Sequence, residues 1–261
     1  MTLDATTRRQ LIDFELGLQA AIGDEVVEGD WGRACLTPSL PMAWDASWIA
    51  IEEPGMAAPE LAALSDEVMG GAGFSHRNVH VCDEADGRRL AAEAESLPGW
   101  EAGRIDYMVW RGDSGRRPAV AVDEAKLAEI ATLRLELIGE PFPVENANRE
   151  QIVAQLFERD GRLGEGGGDR WFVAPADQPA AACRLLRSGD IGQVEDVVTL
   201  TRARNGGLAQ AVTLRALAES RAAGHRVTFL AADSDEWPHL MYEKLGFAKI
   251  GELHTLHRYP T

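Results

Sequence analysis

Lysine is scarce in this 261-residue chain, with Lys126, Lys244 and Lys249 set against 23 arginines. Cysteine is equally sparse. Cys35, Cys82 and Cys183 are odd in number, far apart and in no metal-ligand spacing, which argues against a disulfide framework and a structural zinc. No run approaches the ~18–20 apolar residues that span a bilayer. The opening MTLDATTRRQLIDFELG interrupts its apolar positions with acids and offers no small-residue cleavage site after an apolar core, so it does not read as a secretion signal. Basic charge is short overall, leaving a formal net charge of −16. Residues 1–115 hold 8 arginines, no lysine and 21 acids, a balance of −13, whereas residues 116–261 hold 18 basic and 21 acidic residues, a balance of −3. Such a chain repels nucleic acid and anionic membranes, because phosphate binding needs clustered Lys and Arg. It attracts cations and stays soluble. The expected setting is a reducing cytoplasm, with no nucleic-acid partner, no membrane and no metal.

What is present is 45% hydrophobic and 26% charged, ordinary for a globular protein and enough for one large domain or two compact ones. Apolar spacing predicts a helix over Asp123–Ile138, stopped by Gly139 and Pro141, and another over Glu150–Arg159. GRLGEGGGD (161–169) reads as a loop. Strands are expected at Arg170–Ala174, Ala181–Arg187 and Gly192–Leu200, then a helix over Leu208–Ala223 closed by Gly224. Arg226–Ala232 reads as a buried strand, Trp237–Leu245 as a helix and Phe247–Arg258 as a final strand. In the first half, Trp48–Ile51 and Asn78–Cys82 read as strands, and Pro59–Met69 and Asp86–Leu97 as helices. The class is α/β (α+β), with helices flanking a mixed sheet.

The two halves end alike. GWEAGRIDYMVWR (99–111) lies over GFAKIGELHTLHR (246–258) without a gap, each a glycine, an aromatic residue and an alternating strand closing on Arg. A tandem duplication follows, with a boundary in the polar run Gly112–Pro118 and modules 1–115 and 116–261.

The most specific chemistry lies in VEDVVTLTRARNGGLAQAVTLRALA (194–218). A β-branched strand runs into Arg204-Asn205-Gly206-Gly207-Leu208-Ala209, where a long helix begins. Adjacent glycines let the backbone approach a phosphate, helix-start N–H groups point outward, and Arg204 adds a fixed charge. The glycines are adjacent rather than in G-x-G-x-x-G order, which disfavours a dinucleotide fold. Leu208-Ala209 stand where a P-loop needs Lys and then Ser or Thr.

Downstream, Tyr242-Glu243-Lys244-Leu245-Gly246-Phe247 completes a pattern. Together with Arg204-x-x-Gly207-x-Ala209 it resembles the GNAT superfamily of acyl-CoA N-acyltransferases, in which (Gln/Arg)-x-x-Gly-x-(Gly/Ala) grips the coenzyme A pyrophosphate. The resemblance spans about residues 120–261. It implies a GNAT-like, largely antiparallel mixed sheet and a weaker, degenerate copy in the first module. It further implies acetyl-CoA as co-substrate, with Val197, Val198 and Thr199 on the strand facing it and Arg204, Asn205, Gly206, Gly207, Leu208 and Ala209 around its diphosphate. The thioester would lie where the strands 192–200 and 226–232 splay apart, with a backbone N–H near Val197–Val198 facing its carbonyl. The family often places Asn about seven residues before the Tyr; this chain has Asp235 there.

On that reading Tyr242 is the candidate acid for the departing thiolate, and Glu195 the candidate base for the amine. Asp196 is expected on the opposite strand face from Glu195. His254 and His257, three apart on a strand, make a poor metal pair. His239, one turn before Tyr242, reads as a surface residue, and Trp31, Trp44 and Trp48 as first-module core. The implied activity is acetyl transfer from acetyl-CoA to a primary amine of a small molecule or peptide. The alternative is a catalytically silent acyl-CoA-binding or partner-docking protein. Oligomeric state is left open, a homodimer included.

Overall fold

The computed structural model describes residues 3–94, 96–112, 115–139, 146–165, 168–234 and 238–260. Its chain divides into two units. The first comprises Met1–Tyr107, Ala232–Glu236 and Ile250–Thr261, and the second Met108–Ala231 with Trp237–Lys249.

The first unit opens with α1 (Leu3–Ala20), a helix that the sequence analysis did not anticipate. Its buried face mixes Leu11, Ile12 and Leu16 with Arg8, so the apolar period is interrupted by a charge that is nevertheless inside. Arg8 is accommodated because Nη2 donates to Cys82 O (2.9 Å) and Nη1 to Glu252 O (2.7 Å). A hairpin follows, β1 (Glu25–Gly29) and β2 (Gly32–Leu36), joined through Asp30-Trp31. β1 is largely exposed and shows no alternation, which is why it was not legible. Next come β3 (Trp48–Ile51), α2 (Ala58–Ser65), β4 (Arg77–Val81), α3 (Glu84–Ala94) and β5 (Trp100–Trp110), close to the expected bounds. Ile49, Ile51, Leu61, Val79, Val81, Leu90 and Trp100 build the core between sheet and helices.

In the second unit the helix expected over Asp123–Ile138 is replaced in part. Asp123–Ala125 form strand β6, Leu127–Ile130 a 3-10 turn, and Ala131–Gly139 the helix α4. Arg170 draws Glu124 into the sheet edge, its Nε donating to the carboxylate at 2.8 Å. The expected loop 161–169 is also corrected, because α5 (Asn146–Glu165) runs through Gly161 and Gly164. A Cβ on Gly164 would come within 2.8 Å of Asp169 Oδ1, so glycine lets the helix end pass against the next strand. Then follow β7 (Asp169–Ala174), β8 (Ala181–Ser188), β9 (Ile191–Thr199), α6 (Leu208–Ala222), β10 (Val227–Asp233), α7 (Pro238–Lys244) and β11 (Phe247–Arg258). From Ile250 onward β11 belongs to the first unit, where it pairs antiparallel with β4.

The sheet is mixed and largely antiparallel. β6–β7, β7–β8 and β8–β9 are antiparallel, and β10 joins β9 in parallel. Helix α6 covers one face, where Cys183 Sγ donates to Val212 O (3.2 Å). Helices α4 and α5 cover the other, reached by the alternate side chains Trp171 and Arg184. Gly99 and Gly246, matched in the repeat, both have positive φ (77° and 95°) immediately before β5 and β11. Among the described residues no helix is long and apolar enough to cross a membrane.

Candidate active site

The parallel pairing of β9 with β10 is short. It consists of Ile191 with Val227, Gly192 with Thr228 and Gln193 with Phe229, and among the described residues the two strands pair no further. Beyond Gln193, β9 stays bonded to β8 alone. The edge it turns toward β10 therefore carries backbone donors and acceptors with no ladder partner on that side. Burial changes at the same place: Gly192, Gln193 and Val194 are buried, whereas Glu195 through Thr199 are half-buried. Val197, Val198 and Thr199 thus lie along an opened strand edge. Thr199 Oγ1 is screened from solvent and has no hydrogen-bond partner among the described residues.

β9 leads through a 3-10 turn (Thr201–Ala203) into the loop before α6. Asn205 (φ 64°) and Gly207 (φ 74°) are both left-handed, and Arg204, Asn205, Gly206 and Gly207 are exposed. Asn tolerates that region better than other side chains, and Gly enters it without strain. Ala211 N–H reaches back to Gly207 O (3.0 Å), closing the first turn of α6. Among the described residues no acceptor engages the N–H groups of Asn205, Gly206, Gly207, Leu208 or Ala209. A Cβ built on Gly207 meets nothing within 4 Å, and one on Gly206 meets nothing closer than 3.4 Å. The glycines thus leave a concavity floored by amides at a positive helix end, and Arg204, whose Nε donates to Thr199 O (3.4 Å), stands beside it. This donor set fits a diphosphate.

The strand edge is shaped by a β-bulge. Ala182 pairs with Val198 and Arg184 with Glu195, so Asp196 and Val197 together face the single residue Cys183. Asp196 carries the bulge at φ 52°. The expectation that Glu195 and Asp196 point to opposite faces is corrected by this irregularity, because strict alternation holds only in an unbroken ladder. Both charges act on Arg159, on the α5 side.

A buried ion network fastens the bulge. Arg134 Nη2 donates to Asp196 Oδ2 and Arg134 Nη1 lies beside Asp160 Oδ2, both at 2.8 Å. Arg184 donates to Asp160 Oδ1 (2.9 Å) and Asp169 Oδ2 (3.0 Å), and lies 4.0 Å from Asp196. Arg134 and Arg184 each stack on the Trp171 ring, 5.0 Å from its centroid. None of Arg134, Arg159, Asp160 or Arg184 was singled out from the sequence. The available signal was Arg184, a charge set between apolar residues in the strand AACRLLRS.

Burial pushes the Asp196 carboxyl up, but Arg134, Arg159 and Arg184 outweigh it and hold the group below the ordinary carboxylate value. A carboxyl depressed in the folded state contributes stability that is present above the unfolded value and lost as pH falls through the folded one. Wild type should therefore lose stability below about pH 4, and Asp196→Asn should flatten that acid limb. Urea titrations between pH 3 and 7 check this; an unchanged limb in Asp196→Asn would remove the assignment.

Tyr242 is buried on α7, its ring edge-on to Phe247 at 5.9 Å. Asp235 lies outside the described residues. His254 is buried and His257 half-buried, and burial lowers both below the ordinary histidine value. Trp48 is fully buried, Trp31 packs on the first-unit core, and Trp44 is 39% exposed, which corrects its assignment to the core. The three cysteines are free and buried, and burial raises each thiol, Cys82 to about 11. None offers a ready thiolate nucleophile. Among the described residues no group of three or more His, Cys, Asp or Glu is placed to hold a metal.

In the second unit, the antiparallel run of β6 to β9, the parallel pair β9–β10 that parts after Gln193 and the helix start beside it form a GNAT-like fold. Residues 174–256 match the family described as FR47-like protein, a segment running from the end of β7 into β11. No curated protein matches the chain. Among solved structures it is similar to a functionally unknown conserved protein from Staphylococcus epidermidis ATCC 12228, with TM-score 0.69, 14% identity, and 92% of this chain and 95% of that one covered. It is similar to a GCN5-related N-acetyltransferase from Kribbella flavida, with TM-score 0.62, 18% identity, and coverage of 99% and 96%. A tandem GNAT protein from the clavulanic acid biosynthesis pathway is also similar, with TM-score 0.55, 14% identity, and coverage of 88% and 78%.

Proposed function

We propose that the second unit transfers an acetyl group from acetyl-CoA to a primary amine on a small molecule or peptide. The observation that carries this reading is the splay of β9 from β10 after Gln193, opening directly beside the unpartnered amides of 205–209. Bound acetyl-CoA would supply an activated acyl thioester. Arg204 and the amides of Asn205, Gly206, Gly207, Leu208 and Ala209 hold the diphosphate, while Val197, Val198 and Thr199 orient the pantetheine arm along the open edge. A backbone N–H at Val197–Val198 polarises the carbonyl, so charge developing on oxygen meets a fixed donor. Glu195 removes the amine's proton, directly or through water, and Tyr242 returns one to the sulfur as it leaves. Modules 1–115 and 116–261 form the tandem, and the first, with its excess acid, favours a cationic acceptor by long-range attraction. We place the reaction in the cytoplasm.

Isothermal titration with acetyl-CoA tests the reading, and absence of uptake would remove it. Tyr242→Phe should lower kcat about 100-fold with little change in KM, because the lost proton transfer belongs to the transition state. Equal turnover retires the acid role.

One observation favours a second reading, a protein that binds acetyl-CoA without transferring it. The charge of Glu195 adds to those of Asp160 and Asp196 in holding the buried Arg159 of α5 in its charged form, a structural use for this carboxylate. Acetyl-CoA uptake without acetylation across a broad amine panel would select this reading.

A further inference from the structure

The first unit carries a row of rings that the proposed reaction does not use. One side of β4 and β11 is taken by the core residues Val79, Val81 and Leu256. Alternation puts Asn78 and His80 on the other side, and His257 lies opposite Asn78 in the antiparallel register. Along that side the rings run Phe74, His76, Trp44, Tyr259 and His257, with successive centroids 5.5, 5.4, 5.7 and 5.8 Å apart. His76 stacks on Trp44 at 21°, and His257 stacks on Tyr259 at 12°. His76 Nε2 is also 3.1 Å from Trp44 O. The middle pair is thus held in place before any ligand arrives.

Yet Trp44 and Tyr259 are the exposed members of the row, at 39% and 46%. Their planes meet at 30°, so the two rings diverge instead of covering one another. Open π surface of this kind attracts cations. Beside it, on β5, stands Glu101, exposed and close enough for its charge to act on both His257 and Tyr259. Glu101 shares a strand face with Gly103, where an added Cβ would meet Thr255 Oγ1 at 2.6 Å and His257 Nε2 at 3.8 Å, so its side chain belongs to the ring side. Among the described residues no guanidinium or ammonium pairs with Glu101.

Positive charge is kept away from this side. Arg77 and Arg258, on the same two strands, both pair with Asp66, and Arg258 lies over the core ring of Trp100. Burial pushes His76 down to about 4 and holds His257 below the ordinary histidine value, so both rings are uncharged at pH 7. Residues 1–115, with a balance of −13, add a long-range attraction for cations.

We propose that Trp44, Tyr259 and Glu101 form a binding site for a small alkylammonium ion, its apolar body on the two rings and its charge on the carboxylate. All three residues belong to the first unit, so the site stands whether or not the second unit transfers acetyl groups. The test uses the full-length protein and butylammonium at constant ionic strength, read by the indole N–H resonance of Trp44, which Trp44→Leu assigns. Butylammonium should shift that resonance saturably and bind at least about fivefold more tightly than 1-butanol, which lacks the charge, ammonium, which lacks the body, or butyrate, which reverses the charge. Glu101→Gln should weaken binding by about three- to tenfold at an unchanged melting temperature. Glu28→Gln, which removes another exposed acid, on β1, should leave it unaltered. No saturable shift, equal binding of any of the three comparison compounds, or unaltered affinity in Glu101→Gln would each overturn the proposal. Equal weakening in Glu28→Gln would overturn it too, by reducing the attraction to overall charge.

Discussion

Arg184→Ala should lower the free energy of unfolding by about 3–5 kcal/mol, the usual penalty for stripping one partner from a buried ion pair. Arg184 is 1% exposed and Asp160 fully buried, and the guanidinium serves Asp160 Oδ1, Asp160 O and Asp169 Oδ2 at once. Deleting it leaves the Asp160 and Asp169 carboxylates short of a donor, with Arg134 and Arg159 still on Asp160. It also uncovers one side of Trp171. Urea denaturation followed by circular dichroism measures the loss. The control is Arg202→Ala, whose pair with Glu136 (2.9 Å) is exposed on both sides, and it should stay within about 0.5 kcal/mol of wild type. A similar small change in Arg184→Ala would mean that the network does not hold the bulge. Because the bulge aims the open edge of β9, the destabilised variant should also bind acetyl-CoA more weakly at temperatures where it remains folded.

Gly207→Glu should raise the dissociation constant for acetyl-CoA by about 100-fold, since it sets a carboxylate where charge-assisted bonds of about 1.5–3 kcal/mol would form. A Cβ at Gly207 enters open space, so the new side chain needs no displacement of protein atoms. Its φ of 74° does strain any residue with a Cβ. Gly207→Asn separates the two effects: Asn tolerates the left-handed region, adds no charge and should lose far less affinity. Arg204→Glu, next to an unaltered backbone, should weaken binding by about 10- to 100-fold. Titration calorimetry reads all three, and unaltered affinity in Gly207→Glu and Arg204→Glu would remove the loop from the site.

Much of this was legible locally. The strands at 170–174, 181–187 and 226–232 and the helix at 208–223 appear within a residue or two of their expected bounds, because apolar spacing reports directly which face is buried. The loop at 204–209 was legible for another reason. Its parts, Arg204 through Ala209, are consecutive, so strand, glycines and helix start stand next to each other in the chain. The hairpin β1–β2 gave no such signal, since neither face of β1 is consistently covered. The stretch from Asp123 had helical spacing, yet its first residues were claimed by the edge of β7 and by Arg170.

By itself, then, the sequence determined what depends on near neighbours: the strands and helices from 170 to 258, the turns between them and the glycine loop that opens α6. Tertiary structure alone decided the splay of β9 from β10, the bulge at Asp196 and the burial of Arg184 with Asp160. These rest on partners 24 residues apart for Arg184 with Asp160 and 62 apart for Arg134 with Asp196. A guanidinium in a strand reads as an error in the pattern until the carboxylates that make its burial affordable are brought to it, and only folding does that.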